Sequence, residues 1–280
     1  MPVYSHSRLN MFEECPRAYK FKYIDKIRVK KRQNVYGFLG SIVHETLEEF
    51  HKDLKKGKKY SLEGLIELYS KLWNEKWKES IKVSHPDHNP DHFKKVGGQC
   101  IKNYYEKLSP FNKDETVKTE LRVHPTIKKD GKEYNFQGLI DRLAIDKKGQ
   151  YIIHDYKTGK NLPSRTDLIK NRQLPLYQIG VQQKYTFSEN IVLAWHYLRF
   201  GEIIKIEFDK ENLDSIRRDI IDLIQIIEEA KEENNFPAMR EKGANCGWCD
   251  YQKICQEWKP HSGNEGFKPN QSQQKLEYFL

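Results

Sequence analysis

Apolar residues in the first part of the chain recur every three or four positions, which is the spacing of amphipathic helices. A short helix through Leu9 and Phe12 precedes Pro16, which suits the first position of a second helix. Gly37 and Gly40 indicate a loop. Three more helices are expected from Ser41, from Ser61, and from about Asp91 to Leu108.

From residue 116 the spacing changes to alternation, which predicts strands. In "TVKTELRV" (residues 116–123), charged side chains alternate with apolar ones and threonine. The further predicted strands are "YNFQGLIDRLAI", "YIIHDYK", "IVLAWHYLRF" and "EIIKIEF". One helix is predicted over Asp167–Lys184 and another after a cap at Asp209. These elements predict an α/β fold, in which helices flank a small mixed sheet and a helical part precedes it.

The composition allows one large domain of 280 residues with a substantial core, since 37% of the residues are hydrophobic. No apolar run approaches the roughly 20 residues of a membrane span. The first residues, "MPVYSHSRLN", contain no apolar stretch typical of a secretory signal. We therefore expect a cytoplasmic protein, whose five cysteines stay reduced.

Positive charge is concentrated at the start of the chain. Residues 1–35 contain nine Lys or Arg against three acids, interleaved with tyrosine and phenylalanine, within a net charge of +9. Cations suit phosphates and rings suit bases, so this segment would fit a nucleic-acid strand. A solvated basic face explains the same pattern equally well.

A group of charged residues stands out within "GLIDRLAIDKKGQYIIHDYKTGK". Alternation places Asp155 and Lys157 on one face of their strand, and a hairpin turn can bring Asp141 opposite them. Carboxylate oxygens bind Mg²⁺ or Mn²⁺, and a lysine beside them can assist phosphodiester hydrolysis. An Asp-x-Lys sequence taken alone is more often a charged surface turn.

The joint pattern resembles the PD-(D/E)XK nuclease superfamily, in its RecB/AddB-like branch. The matching segments, in order, are "YSHSRLNMFEECPRAYKFKY", "GSIVHE", the strand of Glu120, "GLIDRLAI", "HDYKTGK" and "QLPLY". The resemblance implies a restriction-endonuclease-like mixed sheet. It also implies Asp141, Asp155, His44 and the carbonyl of Tyr156 as ligands of Mg²⁺ or Mn²⁺, Lys157 as the catalytic lysine, Glu120 near the metal, and Gln173 and Tyr177 bordering the site.

A cysteine group follows the predicted core in "NCGWCDYQKIC". Cys246, Cys249 and Cys255 are three of the four thiols that a metal site usually needs. In the iron–sulfur members of this branch, one cysteine before the core completes the set, which implies Cys15 and a 4Fe-4S cluster. The spacing favours iron–sulfur over zinc, although thiolates suit both. Cys100 is expected to be a buried helix residue.

"HPDHNPDH" (residues 85–92) also has residues of metal-ligand type. The two prolines favour a solvated turn over a metal site, because no further ligand is indicated.

We predict a metal-dependent DNA nuclease, most simply a single-stranded DNA exonuclease in repair or recombination, working alongside a separate helicase. The alternatives are a CRISPR adaptation nuclease that processes spacers together with adaptation proteins, and a catalytically silent DNA-binding subunit of a helicase–nuclease complex. An RNA substrate stays open. The predicted parts are a helical flank over 1–112, a nuclease core over 113–235, an iron–sulfur segment over 236–260 and a polar tail over 261–280.

Overall fold

The computed structural model describes residues 2–30, 33–83, 88–185, 190–239 and 246–258. The chain forms two compact units. The first contains Met1–His6 and Arg32–Ile221, and the second contains Ser7–Lys31 and Asp222–Leu280. The division into a helical flank, a nuclease core, an iron–sulfur segment and a tail stays a prediction.

The strands of the first unit form two mixed sheets. They are β1 Val3–Tyr4, β2 Asp114–Val123, β3 Thr126–Lys129, β4 Lys132–Phe136, β5 Gly138–Asp146, β6 Tyr151–Lys157, β7 Ile191–Tyr197 and β8 Glu202–Glu207. The larger sheet has the order β2-β5-β6-β7-β8, in which only β6 and β7 run parallel. The smaller sheet has the order β1-β4-β3.

Helices flank these sheets, and others lie in the described part of the second unit. They are α1 His6–Glu14, α2 Pro16–Tyr19, α3 Val35–Lys55, α4 Leu62–Lys76, α5 Pro90–Leu108, α6 Arg165–Ile169, α7 Gln173–Lys184 and α8 Lys210–Glu232. A π-helical turn follows α2 at Lys20–Ile24, and short 3-10 turns lie at Cys246–Trp248 and Gln252–Ile254. Within the described ranges, every helix is too short or too polar to span a bilayer.

The predicted start of α3 was wrong. The helix begins at Val35, because the side chain of Asn34 accepts a hydrogen bond from the Gly37 N–H at 2.8 Å and caps it. Both glycines expected in a loop therefore lie inside the helix. A Cβ on Gly40 would lie 3.3 Å from the hydroxyl of Thr158, so the missing side chain lets α3 approach the end of β6.

Two predicted elements are divided in the structure. The strand expected over residues 134–145 breaks at Gln137, whose N–H donates to the carbonyl of Tyr4, and β4 and β5 belong to different sheets. The helix expected over Asp167–Lys184 is split into α6 and α7. The N-cap of α4 at Ser61, the span of α5, strands β7 and β8, and the cap of α8 at Asp209 are confirmed.

The core of the first unit joins helices to the sheet. Side chains of α3, α4 and α5 form one buried cluster that includes Tyr156 of β6 and Leu198 after β7. All seven residues of β7 are buried, as expected for the interior of a sheet covered on both faces. Strand β6 is therefore held by the helical cluster through Tyr156 and by its pairing with β7.

Candidate active site

Two carboxylates meet where β5 and β6 separate. The antiparallel pairing starts beside the turn at Ile145–Tyr151 and ends at Arg142–His154. Asp141 and Asp155 lie just beyond it, where the side chain of Asp141 takes the place of a strand partner. Its Oδ2 accepts a hydrogen bond from the Tyr156 N–H at 2.7 Å. The predicted opposition of these two strands is confirmed.

Lys157 is held between two side chains. Its Nζ lies 2.7 Å from Oδ2 of Asp155 and donates a hydrogen bond to Oε1 of Gln173 at 2.9 Å. Burial opposes the positive charge on Lys157, but the charge of Asp155 outweighs it and raises the lysine pKa. The side chain is therefore an ammonium at neutral pH.

The carboxyl group of Asp155 is buried, with only 5% of the residue exposed. Its Oδ2 has the ion-pair contact with Lys157 but no hydrogen bond of good geometry. Burial raises the pKa of Asp155, the charge of Lys157 opposes this, and the charge of Asp141 adds to it. A further cation beside Asp155 would relieve the cost of burying its negative charge.

His44 reaches the same point from α3. Its Nε2–H donates to the Tyr156 carbonyl at 2.8 Å, and its Nδ1 lies 3.3 Å from Oδ1 of Asp141. Burial disfavours the imidazolium, but the hydrogen bond and charge of Asp141 outweigh it, so the pKa of His44 is raised. His44 thus contacts two of the other predicted metal ligands.

Glu120 brings a third carboxylate towards the site from β2. Its φ of +48° is a left-handed conformation that costs a non-glycine residue about 1–2 kcal/mol. Burial raises the pKa of Glu120, and the charges of Asp141 and Glu48 add to the effect. Glu48 lies one helical turn beyond His44 on α3 and pairs with Lys52.

Gln173 and Tyr177 lie on one face of α7, as their spacing predicts. The amide Nε2 of Gln173 lies 3.5 Å from the Tyr177 hydroxyl. The ring of Tyr177 packs over Gly138 at the start of β5, where a Cβ would lie only 2.3 Å away from it. A glycine is therefore required where α7 meets β5.

Most of the sequence fits one family. A family model describing the PD-(D/E)XK nuclease superfamily matches residues 3–256. The chain belongs to the PD-(D/E)XK nuclease superfamily. The predicted restriction-endonuclease-like α/β fold is confirmed.

Individual relatives match more weakly than the family as a whole. The Gene 69 protein of Mycobacterium phage L5 is 35% identical over 69 residues, which are 25% of this chain and 23% of the phage protein. The crystal structure of SSO0001 covers 92% of this chain and 87% of its own, at 14% identity and a TM-score of 0.37. A candidate exonuclease from Eubacterium rectale covers 81% and 82%, at 11% identity and a TM-score of 0.42.

PD-(D/E)XK nucleases typically use Mg²⁺ or Mn²⁺, and the donors of this site suit those ions. Carboxylate and carbonyl oxygens are the ligands that hard divalent cations prefer, and an imidazole is compatible with Mn²⁺. Within the described ranges, no group of three or more His, Cys, Asp or Glu side chains is drawn together tightly enough to hold an ion as it stands. The donor atoms contact protein groups instead, so metal binding would exchange the bond between His44 and the Tyr156 carbonyl for ligation.

The four predicted cluster cysteines line one small cavity in the second unit. They are Cys15, Cys246, Cys249 and Cys255, and all four are free thiols. Burial raises the pKa of the Cys249 thiol, and the nearby charges of the other three add to it. As they stand in the described residues, these four thiols do not form a group that could hold an ion, so the cluster stays a prediction.

Contacts distant in sequence hold this cysteine group in place. The Arg17 Nε donates to the carbonyl of Phe236 at 2.7 Å, and the Arg17 N–H donates to the carbonyl of Pro237 at 3.2 Å. The rings of Tyr19 and Phe236 stack, and Phe21 packs on Tyr251. As predicted, Pro16 is the first residue of α2. Cys15 precedes it as the N-cap.

The histidine tract lies partly outside the described residues, because His85 and Asp87 fall within 84–87. The Asn89 side chain caps α5 by accepting from the His92 N–H at 2.9 Å, and Pro90 is the first helical residue. His88 and His92 stack with their ring centroids 3.7 Å apart. The described part of the tract is thus the beginning of a helix, and the solvated turn stays a prediction.

Proposed function

We propose that this protein is a metal-dependent deoxyribonuclease that hydrolyses single-stranded DNA from an end, in repair or recombination. The observation that carries the proposal is the meeting of Asp141, Asp155, the Tyr156 carbonyl and Lys157 at the point where β5 and β6 separate. His44 completes this group from α3. The membership of a nuclease superfamily supports the same chemistry.

The protein groups have separate roles in this proposal. Asp141, Asp155 and the Tyr156 carbonyl, together with His44, would hold Mg²⁺ or Mn²⁺, which supplies the positive charge that activates water and stabilises the phosphate in the transition state. Lys157 is held by Asp155 and Gln173, where its ammonium can stabilise charge developing on the phosphate.

The proposal that the substrate is a nucleic-acid strand rests on the charge and rings of the second unit. Arg8 lies over the ring of Tyr23 at 4.5 Å, and the Lys22 ammonium lies 5.1 Å from the same ring. These cations and rings belong to the basic segment of residues 1–35, where phosphates and bases can both be contacted.

A 4Fe-4S cluster bound by Cys15, Cys246, Cys249 and Cys255 belongs to the same proposal. The cavity that all four thiols line supports it. Such a cluster would join the beginning and the end of the second unit, so that its binding energy contributes to folding.

The requirement for a free end distinguishes an exonuclease from an endonuclease. Linear and circular single strands of one sequence are incubated with Mn²⁺ at equal mass and salt, and the linear strand is labelled at either its 5′ or its 3′ end. We expect the linear strand to shorten progressively from one end and the circle to persist. Equal rates on both forms would contradict the exonuclease proposal and indicate an endonuclease.

A further inference from the structure

Tyr156 faces the candidate site mainly with its main chain, and its ring contacts His44 edge to face with the centroids 5.8 Å apart. Its carbonyl accepts from His44 at 2.8 Å, and its N–H donates to Asp141 at 2.7 Å. The side chain of Tyr156 points to the face of the sheet opposite that of Asp155 and Lys157. There the residue is buried, with only 3% of its surface exposed. There its hydroxyl lies 3.2 Å from the hydroxyl of Tyr104 on α5.

Tyr104 in turn belongs to a buried polar network. Its hydroxyl lies 2.6 Å from Nε2 of His51 on α3, and Nδ1 of His51 lies 3.2 Å from the hydroxyl of Thr116 on β2. The Thr116 hydroxyl accepts from the buried guanidinium of Arg142 at 3.3 Å. Two helices and two strands therefore fix the position of the Tyr104 hydroxyl, since hydrogen bonds are directional and strong in a buried setting.

The main chain of Tyr156 has strand support on one side only. On the β7 side, Tyr156 pairs with His196 and the ladder continues to Lys157. On the β5 side, the ladder ends at His154. A neutral carbonyl is a weak ligand, so it helps to bind a cation only if it already points at the ion before binding.

We propose that Tyr104 is a positioning residue, which holds the ring of Tyr156 so that its carbonyl faces the metal ligands Asp141 and His44. Tyr104 thereby sets the affinity of the site for a divalent cation without touching the cation. The inference deepens the proposed function and rests on it, because the metal site is part of that proposal.

A cavity of about 470 Å³ limits how far the metal affinity can change when the Tyr104 hydroxyl is removed. The cavity is lined by Tyr104, His51, Thr116 and Arg142. A water molecule in this cavity can replace part of a lost hydroxyl. A single buried hydrogen bond contributes a factor of about three to ten in an equilibrium. We therefore expect a shift of that size in metal affinity, and not a loss of binding.

The test compares Tyr104→Phe with Tyr105→Phe. Tyr105 is the next residue of α5, and its hydroxyl also makes one hydrogen bond, at 2.8 Å to the carbonyl of Tyr60, away from the site. Binding of Mn²⁺ alone is measured by calorimetry or by the spin signal of the free ion, with no DNA present. The Kd should rise about three- to tenfold for Tyr104→Phe and stay at the wild-type value for Tyr105→Phe.

A second variant tests whether Tyr104 acts on the metal affinity through the hydroxyl of Tyr156. Tyr156→Phe removes the hydroxyl that meets Tyr104, so it should raise the Mn²⁺ Kd by a similar factor. The double variant should show little further increase, because both changes break the same link. Tyr156→Phe also provides the measurement if Tyr104→Phe does not fold.

The outcomes separate the inference from the proposed function. Equal Mn²⁺ affinity in the Tyr104→Phe, Tyr105→Phe and wild-type proteins overturns the positioning role. Additive effects of Tyr104→Phe and Tyr156→Phe also overturn it. A wild-type protein that binds Mn²⁺ but leaves DNA intact refutes the proposed function alone, and one that binds no Mn²⁺ refutes both.

Discussion

Three buried histidines behind the active-site strand should make the first unit sensitive to mild acid. They are His51, His154 and His196. For each of them, burial lowers the pKa well below its usual range, and the charge of Arg142 adds to the effect. All three are therefore neutral in the folded protein near neutral pH, and each would take up a proton on unfolding below about pH 6.5.

The magnitude follows from proton linkage. Because the unfolded chain binds more protons than the folded one below about pH 6.5, the free energy of unfolding falls as the pH falls. Between pH 7.5 and pH 5.5, each histidine lowers it by about 1.4 kcal/mol, and the three together by about 4 kcal/mol. A typical protein has only about 5–15 kcal/mol of stability, so the loss is large.

Groups of the metal site act in the opposite direction. The pKa values of His44, Asp155 and Glu120 are raised, so the stability linked to their protonation is present at low pH and is lost as the pH rises through their folded-state pKa values. The pH dependence of the free energy of unfolding is therefore the sum of the contributions from the buried histidines and from the metal-site groups. A comparison of variants is needed to isolate the buried histidines.

The assay is urea unfolding followed by fluorescence at pH 7.5 and pH 5.5. His196→Gln should lose about 1.4 kcal/mol less than the wild type between these two values, because one titrating group is gone. His124→Gln is the matched control, since His124 is exposed. The same loss in the wild type and in His196→Gln would refute the reasoning that this histidine is kept neutral.

Two further predictions concern the cysteine group and the approach of α7 to β5. Cys249→Ser should remove iron and acid-labile sulfide from anaerobically prepared protein while Cys100→Ser keeps both, and a colourless wild type with stoichiometric zinc would contradict the iron–sulfur proposal. Gly138→Ala should cost about 1–3 kcal/mol of stability and reduce cleavage, because its Cβ would lie 2.3 Å from the ring of Tyr177. Gly98→Ala, within α5, should instead stabilise by about 0.5–1 kcal/mol, and equal effects of the two substitutions on the urea midpoint would refute the packing argument.

Much of the candidate site could be predicted from local spacing. Alternation along β6 places Asp155 and Lys157 on one face, and the structure shows them 2.7 Å apart. The four-residue spacing of Gln173 and Tyr177 likewise places both on one face of α7. These features depend only on the geometry of one element, which the residue pattern determines.

Other features depend on contacts between elements and could not be predicted. Arg142 alternates with Asp141, so the pattern places it on the opposite face, but its partners Asp114 and His154 come from two other strands. The start of α3 was misplaced because the glycine at position 40 serves close packing against Thr158 and does not mark a loop. Tertiary contacts decided both cases.

In the proposed function, the carboxylates beside Lys157 support metal-dependent hydrolysis of DNA. The most direct measurement is the Mn²⁺-dependent cleavage rate of a linear single strand by the wild type, by Asp155→Ala and by Asp219→Ala, an exposed helix residue that serves as the control. We predict that Asp155→Ala lowers the rate by at least about a hundredfold while it still binds the strand, and that Asp219→Ala cleaves like the wild type. Cleavage by Asp155→Ala at the wild-type rate would contradict the account.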